Sequence, residues 1–177
     1  MERWDAYTRD GVRTGMLLTR GEPVPDGLYH LVCEALVIHE DGSVLCMKRS
    51  MEKPNYPGWY EATAGGSALA GEDALQCVRR EVMEETGLCC YGFEEVDRHV
   101  SDENHTIFYT YLCRTACAKN DVRLQPGETE GYLWMTAAEF AAFAASDRMI
   151  PSQRRRFGRV LARFGVPGRA ESDGTEK

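Results

Sequence analysis

The sequence predicts an α/β fold, and three observations predict it. Apolar runs of strand length recur around turn dipeptides such as Asp10-Gly11 and Asp41-Gly42, and Leu75, Val78 and Val82 form an apolar stripe at helical spacing. A chain of 177 residues with 43% apolar content is long enough for one sizeable core. Neither an internal repeat nor a low-complexity stretch divides it, so a single domain over residues 1–164 is expected, followed by a small, polar and disordered tail at 165–177.

Taken in order, residues 4–8 and 12–19 flank Asp10-Gly11 and predict a two-stranded ribbon within residues 1–20. Such a ribbon lies on its own domain or reaches across to a second copy, and its exposed strand edges make a homodimer the expected partner state. Residues 21–27 hold two prolines and two glycines and read as a loop. The apolar run at 29–39 ends at Glu40-Asp41-Gly42 and resumes at 43–48, which predicts a buried hairpin. Residues 49–59, with Pro54, Pro57 and Gly58, form the next loop, and 60–64 a short strand. That places Gly65-Gly66 between a strand and a helix. The helix runs from Glu72 or Asp73 to Thr86 and stops at Gly87, where glycine accepts the left-handed conformation. Residues 90–100 and 105–115 read as a strand pair and 131–135 as a last strand. Thr136 and Glu139 have capping-box spacing for a helix to Ala145, and Pro151 opens a third helix reaching Phe164.

Charge and cysteine usage exclude several functions. A net charge of -7 and a pI near 5.2 argue against holding long nucleic acid, which needs a basic surface. Seven irregularly spaced cysteines, with Cys89 and Cys90 adjacent, do not form a disulfide framework, so a cytoplasmic location is expected. Apolar runs fall short of the ~20 residues of a membrane span, and the first residues lack a signal pattern. Zinc spacing is absent, and Cys33, Cys46 and Cys113 read as small core residues.

Residues 66–88 carry the chemistry. At ~3.6 residues per turn, Glu81, Glu84 and Glu85 fall at i, i+3 and i+4, so their carboxylates are expected to converge within reach of a common ion. Like charges that close repel unless a cation separates them. Glutamate oxygens suit Mg2+ or Mn2+, and Mg2+ binds through a few carboxylates together with substrate phosphates, so a small-molecule diphosphate is the expected substrate. A metal so placed polarises phosphorus and acidifies water, which makes hydrolysis of a phosphoanhydride the expected reaction.

The same segment resembles the Nudix box, G-x5-E-x7-R-E-U-x-E-E-x-G-U with U a bulky aliphatic residue. It fills the fixed positions with Gly66, Glu72, Arg80, Glu81, Val82, Glu84, Glu85, Gly87 and Leu88. The resemblance implies a mixed β-sheet sandwiched between helices (α/β/α) with an N-terminal β-hairpin. It also implies a Mg2+-dependent hydrolase cleaving a nucleoside diphosphate linked to another moiety, or a related organic diphosphate. Glu81, Glu84, Glu85 and Arg80 would be its catalytic set. Glu84 and Glu85 are then metal ligands, Glu81 a ligand or the handler of the water proton, and the Gly65 backbone carbonyl a further ligand. Gly66, Glu72 and Gly87 support them, and Glu72 with Arg80 forms an ion pair that joins loop to helix. The family often has proline before the glycine pair, where this chain has Ala64.

Outside the box, Trp4-Asp5, Gly27-Leu-Tyr-His30, Lys48-Arg49-Ser50 and Thr63-Ala-Gly-Gly66 resemble the Nudix branch related to isopentenyl-diphosphate isomerase. That isomerase carries a catalytic cysteine in Thr-x-Thr-Cys-Cys-Ser-His-Pro just before the box, where this chain reads Glu61-Ala-Thr-Ala-Gly-Gly66. Its later Glu-x-Glu pair matches Glu103-Asn-His105, keeping one acid. Isomerisation is therefore the rival without a nucleophile. A nucleotide-binding module without catalysis is the rival from another class, and a degenerate box would favour it.

Other residues carry two readings each. Glu103 and His105 are a further ligand or base facing the box, or an exposed loop acid and an ordinary strand histidine. Glu128 and Glu130 are read first as commonplace acids of a loop containing Pro126 and Gly127, with a loop base as the alternative. Arg49, Lys48 and Tyr56 border the entrance, where they contact phosphate or stack on a base, or form surface ion pairs and core.

Overall fold

The computed structural model describes residues 1–164. Strands β1 (Arg3–Tyr7) and β2 (Arg13–Thr19) pair antiparallel as the ribbon, with Trp4 opposite Leu18. Of the two placements expected for it, the ribbon takes the one on its own chain. Trp4 stacks on His30 at 4.3 Å, Tyr7 and Tyr29 exchange backbone bonds of 2.8 and 2.9 Å, and Arg9 pairs with Asp102.

The central strand is β3 (His30–His39), because both of its faces are buried. Leu31, Cys33, Ala35 and Val37 join the core under the first helix, while Leu36 and Ile38 join the core on the opposite face. Double burial of this kind gives a nearly continuous apolar run instead of clean alternation. On one edge β3 runs parallel to β8 (Thr106–Thr115), which pairs antiparallel with β7 (Tyr91–Ser101). On the other edge it meets β4 (Val44–Arg49) only at Ile38↔Val44. β4 then departs to pair with β5 (Tyr60–Glu61) and β9 (Thr129–Met135). The edge it leaves is taken by β6 (Ala64–Ser67), from Ala35↔Ala64 to Val32↔Ser67.

Helix α1 (Ala74–Thr86) covers one face, burying Cys77, Val78 and Val82. Asp73 caps it, its side chain accepting from the Gln76 amide while the Gln76 side-chain oxygen accepts from the Asp73 amide, and Gly87 ends it at φ 69°. Helices α2 (Ala137–Ala145), α3 (Pro151–Arg156) and α4 (Gly158–Ala162) cover the other face through Phe140, Phe143, Phe157, Val160 and Leu161. The result is the expected mixed sheet between helices with an N-terminal hairpin.

Two local expectations need correction. Gly65 and Gly66 do not lie between a strand and a helix; they belong to β6, paired with β3. The reason is close approach, since a Cβ at Gly65 would stand 2.2 Å from the Cys33 carbonyl oxygen and 2.6 Å from the Glu34 Cα. The third helix is also two short ones that end at Ala162, broken where buried Phe157 precedes Gly158, a residue that weakens a helix interior. The expected tail, 165–177, lies outside the described residues.

Candidate active site

Where β4 parts from β3, a cleft of about 600 Å³ opens between β4, β5, β6, α1 and the segment before β9. Its floor is set by the glycine pair. A Cβ at Gly66 would fall 2.5 Å from Glu81 Oε1, so glycine alone lets that carboxylate lie against β6. The Gly65 amide donates to Glu85 Oε2 at 3.0 Å, which fixes the other end of the same helix face to the same strand.

Arg80 organises the wall. Its Nε and Nη2 grip Glu72 at 2.7 and 2.9 Å, Nη2 also reaches the Ser67 carbonyl, and Nη1 holds Glu81 at 2.7 Å and Glu84 at 3.1 Å. Glu72 in turn accepts from the Leu69 amide at 2.9 Å, so one guanidinium ties the 67–72 loop to α1. Arginine suits this task because its planar fork satisfies a carboxylate with two bonds and keeps others for neighbours.

The electrostatics are those of crowded acids. Burial pushes the Glu85 carboxyl up to about 8, the charges of Glu61, Glu81 and Glu128 add to this, and only the Gly65 amide opposes it. Burial also raises Glu81 despite Arg80, whereas Arg80 holds Glu72 below the ordinary carboxylate range. This set fits a hard divalent cation: the donors are glutamate oxygens, and their mutual repulsion is what such an ion relieves.

Glu81, Glu84 and Glu85 share the cleft, although among the described residues no three acidic, histidine or cysteine side chains form a ready-made ion cluster. Arg80 Nη1 bridges Glu81 and Glu84, and the Gly65 amide holds Glu85.

The structure brings Gly65, Gly66, Arg80, Glu81, Glu84, Glu85 and Arg49 to the cleft. Glu72 stands behind Arg80, and Gly87 ends α1 with no room for a Cβ beside Arg123. Glu103, His105, Tyr56 and Glu130 are placed elsewhere. Glu103 is exposed in the turn between β7 and β8, and the His105 ring contacts the Leu28 carbonyl. Tyr56 leans on Trp59 at 5.1 Å, and Glu130 pairs with Lys48 at 2.6 Å. Of the two loop acids, it is Glu128 that lines the cleft, paired with Lys53.

Sequence reasoning missed Glu61, Thr63, Gln125, Glu2 and Arg20, all of which line the cleft. Glu61 and Thr63 alternate on the strand approach to the glycine pair, a period-2 signal that could have marked them. Gln153 is equally hidden in sequence: fully buried on α3, it donates to Glu61 at 2.8 Å and Thr63 at 2.9 Å and accepts from the Ala62 amide.

A split mixed sheet between helices, with an arginine-clamped glutamate helix over a glycine pair, defines a hydrolase of diphosphate bonds. The NUDIX domain matches residues 28–156, and the chain belongs to the Nudix family. It is 32% identical over 162 residues to a Nudix hydrolase of Listeria monocytogenes, covering 85% of this chain and 89% of that one. Among solved structures, a protein of Deinococcus radiodurans superposes with a TM-score of 0.68 at 19% identity, over 92% of this chain and 99% of the other. The NUDIX domain of Shewanella oneidensis NrtR, solved with ADP ribose, superposes at 0.52 with 15% identity, over 64% and 77%. Family membership brings divalent-metal use in general. No helix among the described residues is long and apolar enough to cross a membrane.

Proposed function

We propose that the protein is a Mg2+-dependent (or Mn2+-dependent) diphosphatase that cleaves a phosphoanhydride bond in a nucleoside diphosphate linked to another group, or in a related organic diphosphate. The observation that carries this reading is Glu81, Glu84 and Glu85 on one wall of the cleft, held by Arg80 to the loop behind the glycine pair. In it, Glu84, Glu85, Glu81 and the Gly65 carbonyl hold the metal, which when bound polarises phosphorus and acidifies water. Glu81, pressed on Gly66 and steadied by Arg80, accepts the water proton. Glu72 keeps Arg80 oriented. Arg49 sits on the opposite side of the cleft, bonded to Glu61, where it meets the leaving phosphate. Among the described residues no aromatic side chain lines the cleft, so a base is recognised by hydrogen bonds from Gln125 and Thr129 and not by stacking.

The lining weighs against isomerisation of an isoprenoid diphosphate. It has no cysteine, and Met47 and Leu69 are its only large apolar members among the described residues, too few to wrap a hydrocarbon chain. The cytoplasm is the proposed location, in keeping with seven cysteines all free of disulfides. A homodimer through the ribbon, where Met16 and Leu17 are exposed, is proposed as well, and sedimentation showing monomer alone rejects it. The activity test is release of phosphate or monophosphate from a panel of nucleoside diphosphate conjugates, ADP-ribose among them, by wild type and Glu85→Gln with Mg2+. Metal-dependent turnover lost in the variant is expected. Absence of turnover on the whole panel overturns the reading in favour of a binding module.

A further inference from the structure

We infer that Arg20, carried by the open end of the N-terminal ribbon, is a substrate-binding residue that grips the anionic part of the diphosphate substrate facing away from α1. The inference rests on the diphosphatase reading and adds a specificity element from outside the Nudix box.

Four cations line the cleft among the described residues, and three of them are mostly buried in their carboxylate pairs. Arg80 serves Glu72, Glu81 and Glu84; Arg49, 17% exposed, serves Glu61 and the Asn55 carbonyl; Lys53, 23% exposed, serves Glu128. Arg20 differs. It is 67% exposed and its guanidinium makes one ion pair, Nη1 to Glu2 Oε2 at 2.7 Å, out of five N–H donors. An exposed pair of that kind is worth only ~0–1 kcal/mol, so a phosphate competes for it readily.

Glu2 does not depend on Arg20 to stay in place. Its Oε1 accepts from the Trp4 indole at 2.9 Å, and Trp4 is buried against His30. Burial works against the charged form of Glu2, yet Trp4, Arg20 and the more distant Arg80 outweigh it and hold the carboxyl below its ordinary range. Glu2 and Arg20 line the same cleft as Arg80 and the glutamates of α1.

The base of Arg20 is rigid relative to the site. The Ala70 amide donates to the Arg3 carbonyl at 2.8 Å, the Gly71 amide to Asp5 at 2.7 Å, and Arg13 to the Glu72 carbonyl at 2.9 Å. The ribbon is thus fastened to the loop that holds Glu72, and through it to Arg80. A rigid mount with one loosely held guanidinium at the cleft mouth is the arrangement for reading an anion. The six acids of the lining, Glu2, Glu61, Glu81, Glu84, Glu85 and Glu128, repel a diphosphate and leave it dependent on the metal and on such a cation.

The test is calorimetric titration of α,β-methylene-ADP with Mg2+ into wild type, Arg20→Ala, Arg20→Lys and the Glu2→Gln/Arg20→Ala pair, beside the turnover panel. Arg20→Ala is expected to weaken binding ~5–20-fold, as loss of a partly exposed charged hydrogen bond does, and Arg20→Lys to recover most of it. In turnover the same loss falls on KM and leaves kcat near wild type. Arg20→Ala in the Glu2→Gln background must still weaken binding, because a role confined to pairing with Glu2 would vanish there. Unchanged affinity in Arg20→Ala, or no binding by wild type, overturns the inference. The turnover panel judges the diphosphatase reading separately: Arg20-dependent binding without turnover keeps Arg20 and rejects the hydrolase, and turnover indifferent to Arg20 does the reverse.

Discussion

Gly65 and Gly66 are adjacent in β6, yet replacing each with alanine should fail for a different reason. At Gly66 the new Cβ would meet Glu81 first, at 2.5 Å from Oε1 and 2.7 Å from Cδ, and a side-chain end can retreat. Reaching ordinary contact at about 3.4 Å moves the carboxylate by about 1 Å and strains its 2.7 Å bond to Arg80. That bond is half-buried and charged, so its loss costs roughly 1–2 kcal/mol, or roughly 2–8 °C in Tm for a chain of this size. A 1 Å displacement of a reacting group costs on the order of 10²-fold in rate. Gly66→Ala is therefore expected to fold and to lose about two orders of magnitude in kcat/KM.

At Gly65 the colliding atoms are backbone, the Cys33 carbonyl oxygen at 2.2 Å and the Glu34 Cα at 2.6 Å, and they cannot retreat without parting β6 from β3. Overpacking a yielding core costs ~1–3 kcal/mol, and an unyielding strand puts this case at or above the top of that range, roughly 6–12 °C. Thermal melts paired with turnover read both. Wild-type kcat/KM in Gly66→Ala, or a Gly65→Ala variant that melts no lower than Gly66→Ala, would refute the steric reasoning.

Two further predictions concern Glu85 and a third concerns Gln153. With divalent ions chelated, the unfolded chain releases the Glu85 proton near 4.5 and the folded protein near 8. The folded state binds more protons in between, so stability falls as pH rises through that window; Glu85→Gln should flatten the slope, and an identical slope in the variant contradicts this. Mg2+ at 100 times its Kd should stabilise wild type by about 2.7 kcal/mol, roughly 5–11 °C, and Glu85→Gln much less; a melt insensitive to Mg2+ speaks against the ligand assignment. Gln153→Leu leaves the Ala62 amide without its side-chain acceptor and removes one bond each from Glu61 and Thr63. A loss of ~1–3 kcal/mol, or roughly 2–12 °C, is expected in calorimetry, and an unchanged melt would show the clamp to be idle.

What could be read from sequence divides along a physical line. Helix α1 was legible because its apolar stripe and stop are local: Val78 with Val82, and Gly87. The box glutamates were legible for the same reason, since a fixed helical pitch puts i, i+3 and i+4 on one face without knowledge of the rest of the fold. Their state was not, because Arg80 bridges Glu81 and Glu84 by a donor that spacing does not reveal. The opposite wall was hidden for a deeper reason. Glu61, Glu128 and Arg20 reach the cleft only because β4 leaves β3 after one residue pair, β9 follows β4, and the ribbon docks on the 70–72 loop. Each is a contact between segments far apart in the chain. Tyr56 and Glu103 illustrate the converse: nearness in sequence to the entrance or to a family pattern did not bring them to the cleft. A site whose one wall is a helix and whose other wall is topology can be read by half from sequence, and the half that topology supplies is where selectivity among diphosphates must lie.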